Sequence, residues 1–269
     1  MIAAPHATAE LGAYRDIWRA APRALVERLG IAHRDVGGGV CLGCAAMPGN
    51  PVFNHAIGLG VAARAGEAEL DEVEAFYAGS GAPYRVAVDA AAEGLAEALR
   101  ERGFREEGRP WMTFRREPGG APAATGAGPA VEDAGVARAA AFGDIQAAAF
   151  GMPPELSPWM AALVGRPGWT CLLALDRGEP IGAAALFVDG DTGWFGFGAT
   201  LPEARGRGAQ GALFAERLRR AERLGLRWAI TETGAPVGDE APGPSYRNML
   251  RFGFAEEALR PNLSSPSPR

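Results

Sequence analysis

A glycine-rich stretch, Arg205-Gly206-Arg207-Gly208-Ala209-Gln210-Gly211-Ala212, separates an apolar run at 193–200 from a segment whose apolar residues recur at helical spacing. Its glycines allow a sharp bend that leaves consecutive backbone N–H groups uncovered. A helix that begins there adds the positive end of its dipole. The stretch therefore predicts a site for an anion such as a pyrophosphate, with Arg205 and Arg207 supplying positive charge. The alternative is a glycine-rich turn whose two arginines are simply solvated.

The residues around this stretch predict alternating strands and helices. Apolar runs at 169–175, 181–188 and 193–200 are separated by Asp/Gly turns, which predicts three successive antiparallel strands. A helix follows, with charged residues 216, 217, 219, 220, 222 and 223 largely off its apolar face. That apolar face consists of Leu213, Phe214, Leu218, Ala221 and Leu224. A strand at 228–233 and a helix at 245–252 come next, and helices at 130–150 and 155–164 precede the strands.

The first part of the chain repeats this order of elements. It predicts a helix at 11–29, strands at 40–46 and 52–60, a helix at 67–78, a strand at 84–88, a helix at 90–102 and a strand at 112–115. Residues 99–104, Leu-Arg-Glu-Arg-Gly-Phe, also echo residues 250–254, Leu-Arg-Phe-Gly-Phe. We interpret this as an internal duplication; a coincidence of a common β-α-β pattern is the alternative.

The Pro/Gly/Ala stretch at 117–129 predicts a linker between two domains, at 1–116 and 130–269. The predicted fold class is α/β (α+β). Each domain is expected to hold a mixed, mostly antiparallel sheet flanked by helices.

Two motifs give the second domain a resemblance to a known family. Ala199-Thr200-Leu201-Pro202 and the glycine-rich stretch resemble the acetyl-coenzyme A motif of the GCN5-related N-acetyltransferase (GNAT) superfamily, Arg/Gln-x-x-Gly-x-Gly/Ala. Arg205 and Gly208 match this motif, whereas Gln210 departs from its last position and Gly211 follows directly. Ser245-x-Arg247 followed by Gly253-Phe254 resembles the version found in the ribosomal-protein acetyltransferase branch. The resemblance covers about 131–254 and implies a tandem member whose first domain is a degenerate GNAT-like copy.

The resemblance implies an acetyl-CoA-dependent N-acetyltransferase that moves an acetyl group directly to a primary amine. Backbone N–H groups of 207–212 would hold the pyrophosphate, and the edge of 198–201 would bind the pantetheine arm. Asn248 would touch the cofactor, or else cap or pack its helix. The expected cofactor-binding residues are Gly198, Ala199, Thr200, Leu201, Arg205, Gly206, Arg207, Gly208, Ala209, Gln210, Gly211, Ala212 and Asn248. A non-catalytic acyl-CoA-binding or regulatory module is the alternative, favoured by the departures from the motifs.

Amine acetylation also needs a base, because an amine with a pKa near ~10 is mostly protonated at neutral pH. Glu232, on the strand after the phosphate-binding helix, is the candidate base, with Asp239 and Glu240 as alternatives; an exposed strand carboxylate is the other interpretation of Glu232. The family's usual general acid is a tyrosine four residues before the Gly-Phe pair, and here that position is Met249. Tyr246, nearly on the same helical face, or a water molecule is expected to replace it.

The first domain lacks this equipment, because acidic residues crowd the turn and helix start at 61–72 and would repel a pyrophosphate. We expect no cofactor there, and roles as scaffold, wall of the acceptor pocket or dimer contact. Cys41-Leu42-Gly43-Cys44 is interpreted as buried strand residues, since i and i+3 on a strand point to opposite faces. Cys171 is expected in the core. We expect no metal site.

Composition excludes further classes of function. No lysine occurs among the 27 basic residues, which excludes Schiff-base and P-loop chemistry. A net charge of −5 without a basic cluster argues against nucleic acid, and no apolar run approaches the ~20 residues of a membrane span. We expect a soluble cytoplasmic monomer or homodimer that acts on a small-molecule or peptide amine. The identity of that acceptor stays open; Asp239 and Glu240 favour a cationic one.

Overall fold

The computed structural model describes residues 5–48, 50, 52–120 and 128–266. Its helices are α1 (Pro5–Arg19), α2 (Arg23–Leu29), α3 (Glu67–Ala78), α4 (Leu95–Glu101), α5 (Ala139–Ala149), α6 (Ser157–Ala161), α7 (Ala209–Arg223) and α8 (Pro244–Arg251). Its strands are β1 (Ile31–Val36), β2 (Gly39–Cys44), β3 (His55–Ile57), β4 (Arg85–Ala87), β5 (Arg105–Glu106), β6 (Trp111–Arg116), β7 (Ala130–Asp133), β8 (Trp169–Asp176), β9 (Glu179–Asp189), β10 (Thr192–Thr200), β11 (Trp228–Gly234), β12 (Ala255–Arg260) and β13 (Asn262–Ser264).

The strands form two mixed sheets, which confirms the predicted fold class. The first sheet has the order β1-β2-β3-β4-β13-β5, and the second has the order β12-β6-β11-β10-β9-β8-β7. Each sheet contains one parallel pair, β3 with β4 and β10 with β11. The three successive antiparallel strands predicted between 169 and 200 are present as β8, β9 and β10.

The two sheets exchange a strand across the predicted domain boundary. β6, from the first part of the chain, pairs with both β11 and β12 in the second sheet, while β13, near the end, joins β4 and β5 in the first. The domain limits 1–116 and 130–269 stay a prediction. Residues 121–127 of the predicted linker at 117–129 lie outside the described residues. Each sheet therefore contains a strand that comes from the other side of the predicted linker.

The echo between 99–104 and 250–254 corresponds to a shared local geometry. Helices α4 and α8 end alike: Gly103 and Gly253 adopt positive φ angles of 87° and 75°. The following phenylalanines, Phe104 and Phe254, donate their backbone N–H to a carbonyl five residues back. This is the Schellman ending that a C-terminal glycine permits. In each half this ending closes the second helix of a strand–helix–strand–helix series, β3-α3-β4-α4 in the first and β10-α7-β11-α8 in the second. The shared position supports the duplication.

Several predicted elements are shorter than their sequence pattern indicated. The helix expected at 130–150 was wrong at its start, because 130–133 pair with β8 as β7 and Gly135 adopts a φ of +57° before the chain turns helical. The helix expected at 11–29 is divided at Pro22, whose ring fixes φ near −57° and removes an N–H donor. Strand β1 was missed because its four central residues are exposed and give no apolar alternation.

One hydrophobic core joins the two halves. Helix α1 packs on β1 and β2 of the first sheet and on β9, β10 and β11 of the second. Trp18 contacts Trp159 edge-on at a centroid distance of 5.1 Å, and the Trp159 indole N–H donates to the Ile17 carbonyl at 2.7 Å. Beside this core, Arg260 and Glu10 form a buried bidentate ion pair with N–O distances of 2.6 and 2.7 Å. These contacts bring the faces of the two sheets together.

The cysteines behave as strand and core residues. Cys41 and Cys44 are fully buried on β2 but belong to different hydrophobic clusters, one on each face, and Cys171 is 6% exposed. Burial raises the pKa of the Cys41 thiol to about 12, so it stays protonated. Among the described residues no group of three or more side chains is arranged to hold a metal ion. A search of the same residues finds no helix with the length and apolarity of a membrane span.

Candidate functional site

A slot opens between β10 and β11. The two strands pair in parallel only over residues 192–194 and 228–230, and beyond this point β11 continues alongside β6 while β10 stays with β9. The register of β10 against β9 shifts between Gly196 and Ala199, and Phe197 within this bulge has a φ of +55°. The bulge turns β10 away from β11, which leaves one strand edge unpaired along the slot.

Two buried side chains hold the bulge in place. Gln146 of α5, fully buried, donates to the Phe197 carbonyl at 2.8 Å. From the other face of the sheet, Arg217 of α7 donates to the carbonyls of Gly196 at 3.2 Å and Ala185 at 3.3 Å. A strained residue such as Phe197 persists only where surrounding contacts fix it, and such strain is typical of functional sites.

The glycine-rich stretch forms the uncapped N-terminus of α7. Gly206 and Gly208 adopt φ angles of +80° and +83°, and among the residues that the structure describes no side chain caps the first turn of the helix. Its N–H groups therefore face a cavity of about 680 Å³. Ten of the thirteen predicted cofactor residues line this cavity: Gly198, Ala199, Thr200, Arg205, Gly206, Gly208, Ala209, Gln210, Gly211 and Asn248.

The other three predicted cofactor residues, Leu201, Arg207 and Ala212, do not line it. The Leu201 backbone N–H is used by the carbonyl of Ile181. The side chain of Arg207 turns to the β8–β9 hairpin, where it pairs with Asp176 at 3.1 Å. Positive charge at the cavity thus comes from Arg205, Arg251 and the helix end, and not from Arg207.

Glu232 lies inside the slot, in a connected cavity of about 320 Å³. It is half-buried, and the Trp194 indole N–H donates to its Oε2 at 2.8 Å. Burial, assisted by the nearby negative charge of Glu10, raises the pKa of Glu232 from its ordinary value of 4.5 to about 8. The carboxyl group is therefore suited to exchange a proton near neutral pH.

The remaining catalytic candidates are not brought to the slot. The ring of Tyr246 is buried against Phe114, and its hydroxyl donates to Glu256 at 2.5 Å, away from the cavity. The α8 residues that line the slot are Ser245, Asn248 and Met249, and Tyr246 is not among them. Asp239 and Glu240 are exposed, and Glu240 pairs with Arg109 at 2.7 Å.

Arg217 is the site residue that the sequence pattern missed. It was placed among the charged residues off the apolar face of α7, which was wrong: its side chain is 1% exposed and lies over the rings of Phe195 and Phe214. Burial lowers its pKa to about 9, and within the described part of the chain no carboxylate pairs with it. Its Nη2 lacks any hydrogen-bond partner there. Arg217 follows Leu213 by four positions and Phe214 by three, so it lies on the same helical face as these apolar residues, and this spacing was the signal for its burial.

A third cavity, of about 290 Å³, continues from the slot into the space between the halves. It shares Tyr14, Val52, Trp111 and Gly234 with the slot. His55 of the first sheet and Arg260 of the second line it. Burial lowers the pKa of His55 to about 4, so its imidazole is neutral at pH 7. The cavities form one path, open to the α7 N-terminus at one end and to the space between the halves at the other.

Comparison with solved structures identifies this architecture. A GCN5-related N-acetyltransferase from Kribbella flavida superposes with a TM-score of 0.64 at 21% identity, over 99% of this chain and 96% of that chain. A tandem GNAT protein from the clavulanic acid biosynthesis pathway, without AcCoA, gives 0.60 at 15% identity, over 99% and 97%. The fold is that of the GCN5-related N-acetyltransferases. A third GNAT structure, from Sphaerobacter thermophilus, gives a TM-score of 0.59 at 16% identity over 86% and 82%. No protein-family model and no curated protein matches the sequence.

The GNAT fold occurs here twice, and the two copies differ at the helix that follows the parallel strand. In the second copy the N-terminus of α7 is open, as described above. In the first copy, the carboxylate of Glu69 accepts a hydrogen bond from the Gly66 N–H at 2.8 Å and so occupies the N-terminus of α3. Glu67 adds a second negative charge in that turn. This arrangement is consistent with the expectation that only the second copy binds a pyrophosphate.

Proposed function

We propose that the chain is an acetyl-CoA-dependent N-acetyltransferase whose second GNAT copy carries the reaction. The observation that carries this proposal is the continuous path in which an uncapped, glycine-rich helix N-terminus leads into a slot holding a carboxyl group poised near neutral pH. The path holds an anion site, then a channel, then a base. This order suits an acyl thioester on a phosphate-bearing carrier that enters from one end and an amine that approaches from the other.

The residues along the path fit coenzyme A. Gly198 faces the side chain of Gln210, and a Cβ there would come within 3.0 Å of Gln210 Oε1, so the glycine keeps the channel clear. The N–H groups of the first turn of α7 would bind the pyrophosphate, with Arg205 adding charge. The free edge of β10 would hydrogen-bond the pantetheine arm. When bound, acetyl-CoA supplies an activated acyl group as a thioester.

Glu232 is proposed to remove the proton that an ammonium acceptor carries. Its Oε2 accepts a hydrogen bond from Trp194, which fixes the carboxylate, and the residue lines the cavity. With a pKa of about 8, the group is deprotonated often enough at pH 7 to accept a proton and basic enough to do so efficiently. Glu232 thus makes the amine nucleophilic inside the slot.

Arg217 is proposed to stabilise the negative charge that develops on the thioester. Arg217 lines the slot, and its Nη2 has no hydrogen-bond partner among the described residues. Met249, which also lines the slot, occupies the family's usual tyrosine position but has no proton to donate. A fixed cation in a buried site needs no reorganisation and is more effective than one in water. A water molecule is then the candidate for protonating the departing thiolate, because Tyr246 lies outside the slot.

A thiol-release assay with a panel of primary amines at pH 8 tests this proposal. We expect amine-dependent release of one thiol for each amine acetylated, checked by product mass, and loss of release in Glu232→Gln at neutral pH. Calorimetric binding of acetyl-CoA without turnover of any amine would instead favour the non-catalytic acyl-CoA-binding module. Absence of binding would contradict both functions.

A further inference from the structure

The cavity between the halves contains a cation, Arg85, that is not paired with a carboxylate in the part of the chain that the structure describes. Arg85 lies on β4 directly beside His55 of β3, and the parallel register places both side chains on the face that lines this cavity. Its Nε donates to the Ser264 hydroxyl at 3.3 Å. The guanidinium lies against Gly108, where a Cβ would come within 3.1 Å of Nη1. Over the described ranges, no carboxylate lies within ion-pair distance of Arg85.

The other charges around this cavity are paired within the protein. Arg260 binds Glu10 through both nitrogens and lies 3.7 Å from Asp89. Arg109 binds Glu240 at 2.7 Å. The half-buried guanidinium of Arg85 is therefore an uncompensated positive charge in the pocket, although the whole chain carries a net charge of −5.

This charge bears on the kind of amine that the pocket accepts. A simple alkylamine or polyamine enters as a cation, and like charges that meet in a partly buried pocket repel each other. An amine that also carries an anionic group brings a partner for the guanidinium, which binds carboxylate or phosphate through two parallel hydrogen bonds. The volume of about 290 Å³ lies at the lower end of the range for small-molecule sites.

We propose that the acceptor is a small amine that also bears a carboxylate or phosphate group, and that Arg85 binds this group while the amine reaches Glu232. The inference rests on the proposed function, because it places the acceptor in the path described above. Two further groups favour a polar ligand here: Nδ1 of His55 and Nε of Arg260 are buried without a hydrogen-bond partner in the described structure. Both residues line the same cavity.

Matched pairs of amines test the inference by binding and by turnover. L-phenylalanine is compared with 2-phenylethylamine, and O-phosphoethanolamine with ethanolamine, so that each pair differs by one anionic group. Ligand-observed NMR measures binding to the full chain without acetyl-CoA. We expect at least one anionic member to bind at least tenfold more tightly than its partner; which pair responds distinguishes carboxylate from phosphate.

Variants then locate the binding group. Arg85→Gln is expected to abolish the preference for the anionic member, Arg85→Lys to restore part of it, and Arg64→Gln, an exposed arginine outside the cavities, to leave it unchanged. Equal or undetectable binding of both members of each pair by the wild type, or an unchanged preference in Arg85→Gln, would overturn the inference.

The two proposals fail in different ways. Acetylation of plain amines that Arg85→Gln does not alter would leave the proposed function intact and remove the anion subsite. Arg85-dependent anion binding by a protein that does not bind acetyl-CoA would leave the anion subsite intact and contradict the proposed function.

Discussion

The substitution Glu232→Gln is expected to change the pH dependence of stability in a defined direction. Burial raises the pKa of this carboxyl group from 4.5 to about 8, so the folded protein binds the proton more tightly than the unfolded chain. The free energy of unfolding of the wild type therefore falls as the pH rises from about 4.5 to about 8. The glutamine variant has no proton to lose, and its stability lacks this fall.

The magnitude follows from the pKa values. A tenfold change in a dissociation constant corresponds to about 1.4 kcal/mol, so the rise to about 8 sets an upper limit of about 5 kcal/mol. Because part of the carboxyl group faces the cavity, solvent screening reduces this, and we expect ~2 kcal/mol. For a chain of this length, the Tm of Glu232→Gln should exceed that of the wild type by about 5 °C more at pH 9 than at pH 4.5.

The same substitution is expected to change the rate profile. Acetyl transfer by the wild type should rise with pH through an inflection near 8, where Glu232 is half deprotonated, and level off above it. Glu232→Gln should be slower by about 10²-fold at pH 7 to 8, the usual contribution of a general base. Its rate should recover toward pH 10, where the amine loses its proton unaided.

Thermal scans and thiol-release rates between pH 4.5 and pH 10 provide both readouts, with Glu155→Gln, an exposed glutamate, as the matched control. Parallel rate profiles for the wild type and Glu232→Gln would remove Glu232 from the mechanism. A Tm difference that does not grow with pH would refute the raised pKa itself.

Three further predictions concern the same path. Gly198→Val should weaken acetyl-CoA binding at least tenfold in calorimetry, because its side chain fills the channel beside Gln210, whereas Gly79→Val, in open space, should not. Arg217→Met should lower kcat about 10²-fold with a much smaller change in acetyl-CoA affinity, and Arg217→Lys should recover part of the loss; equal activity of the two variants would argue against a role for the charge. Glu10→Gln should lower the free energy of unfolding by about 3 kcal/mol in urea denaturation, since it leaves Arg260 buried without its main counter-charge. The same variant should move the inflection of the pH–rate profile, which reports Glu232, below 8, and an unmoved inflection would count against an influence of Glu10 on the pKa of Glu232.

Local pattern was sufficient to predict the second GNAT copy. Apolar runs punctuated by Asp/Gly turns predicted β8, β9 and β10, and the glycine-rich stretch predicted the open N-terminus of α7. Both are properties of residues adjacent in sequence. Arg205 and Gly208, which match the family motif, both line the cavity at the N-terminus of α7, and their role in cofactor binding stays a prediction.

Features that depend on distant parts of the chain were not predictable in this way. The exchange of β6 and β13 between the sheets pairs residues 140 to 179 positions apart. The burial of Arg217 follows from the packing of α7 on β10, which overrides the expectation that a guanidinium faces water. The raised pKa of Glu232 comes first from its burial and then from the negative charge of Glu10, which lies more than 200 positions earlier in the chain. Tyr246 shares a helical face with Met249, but the rings around it draw it into the core.

We expect the second GNAT copy, and not the first, to hold one acyl-CoA molecule along the path from α7 to Glu232. Isothermal titration calorimetry of the wild type and of Gly198→Val with acetyl-CoA measures this occupancy. One binding site per chain is expected for the wild type, and its loss in the variant. Two sites per chain, no binding, or undiminished binding by Gly198→Val would contradict this expectation.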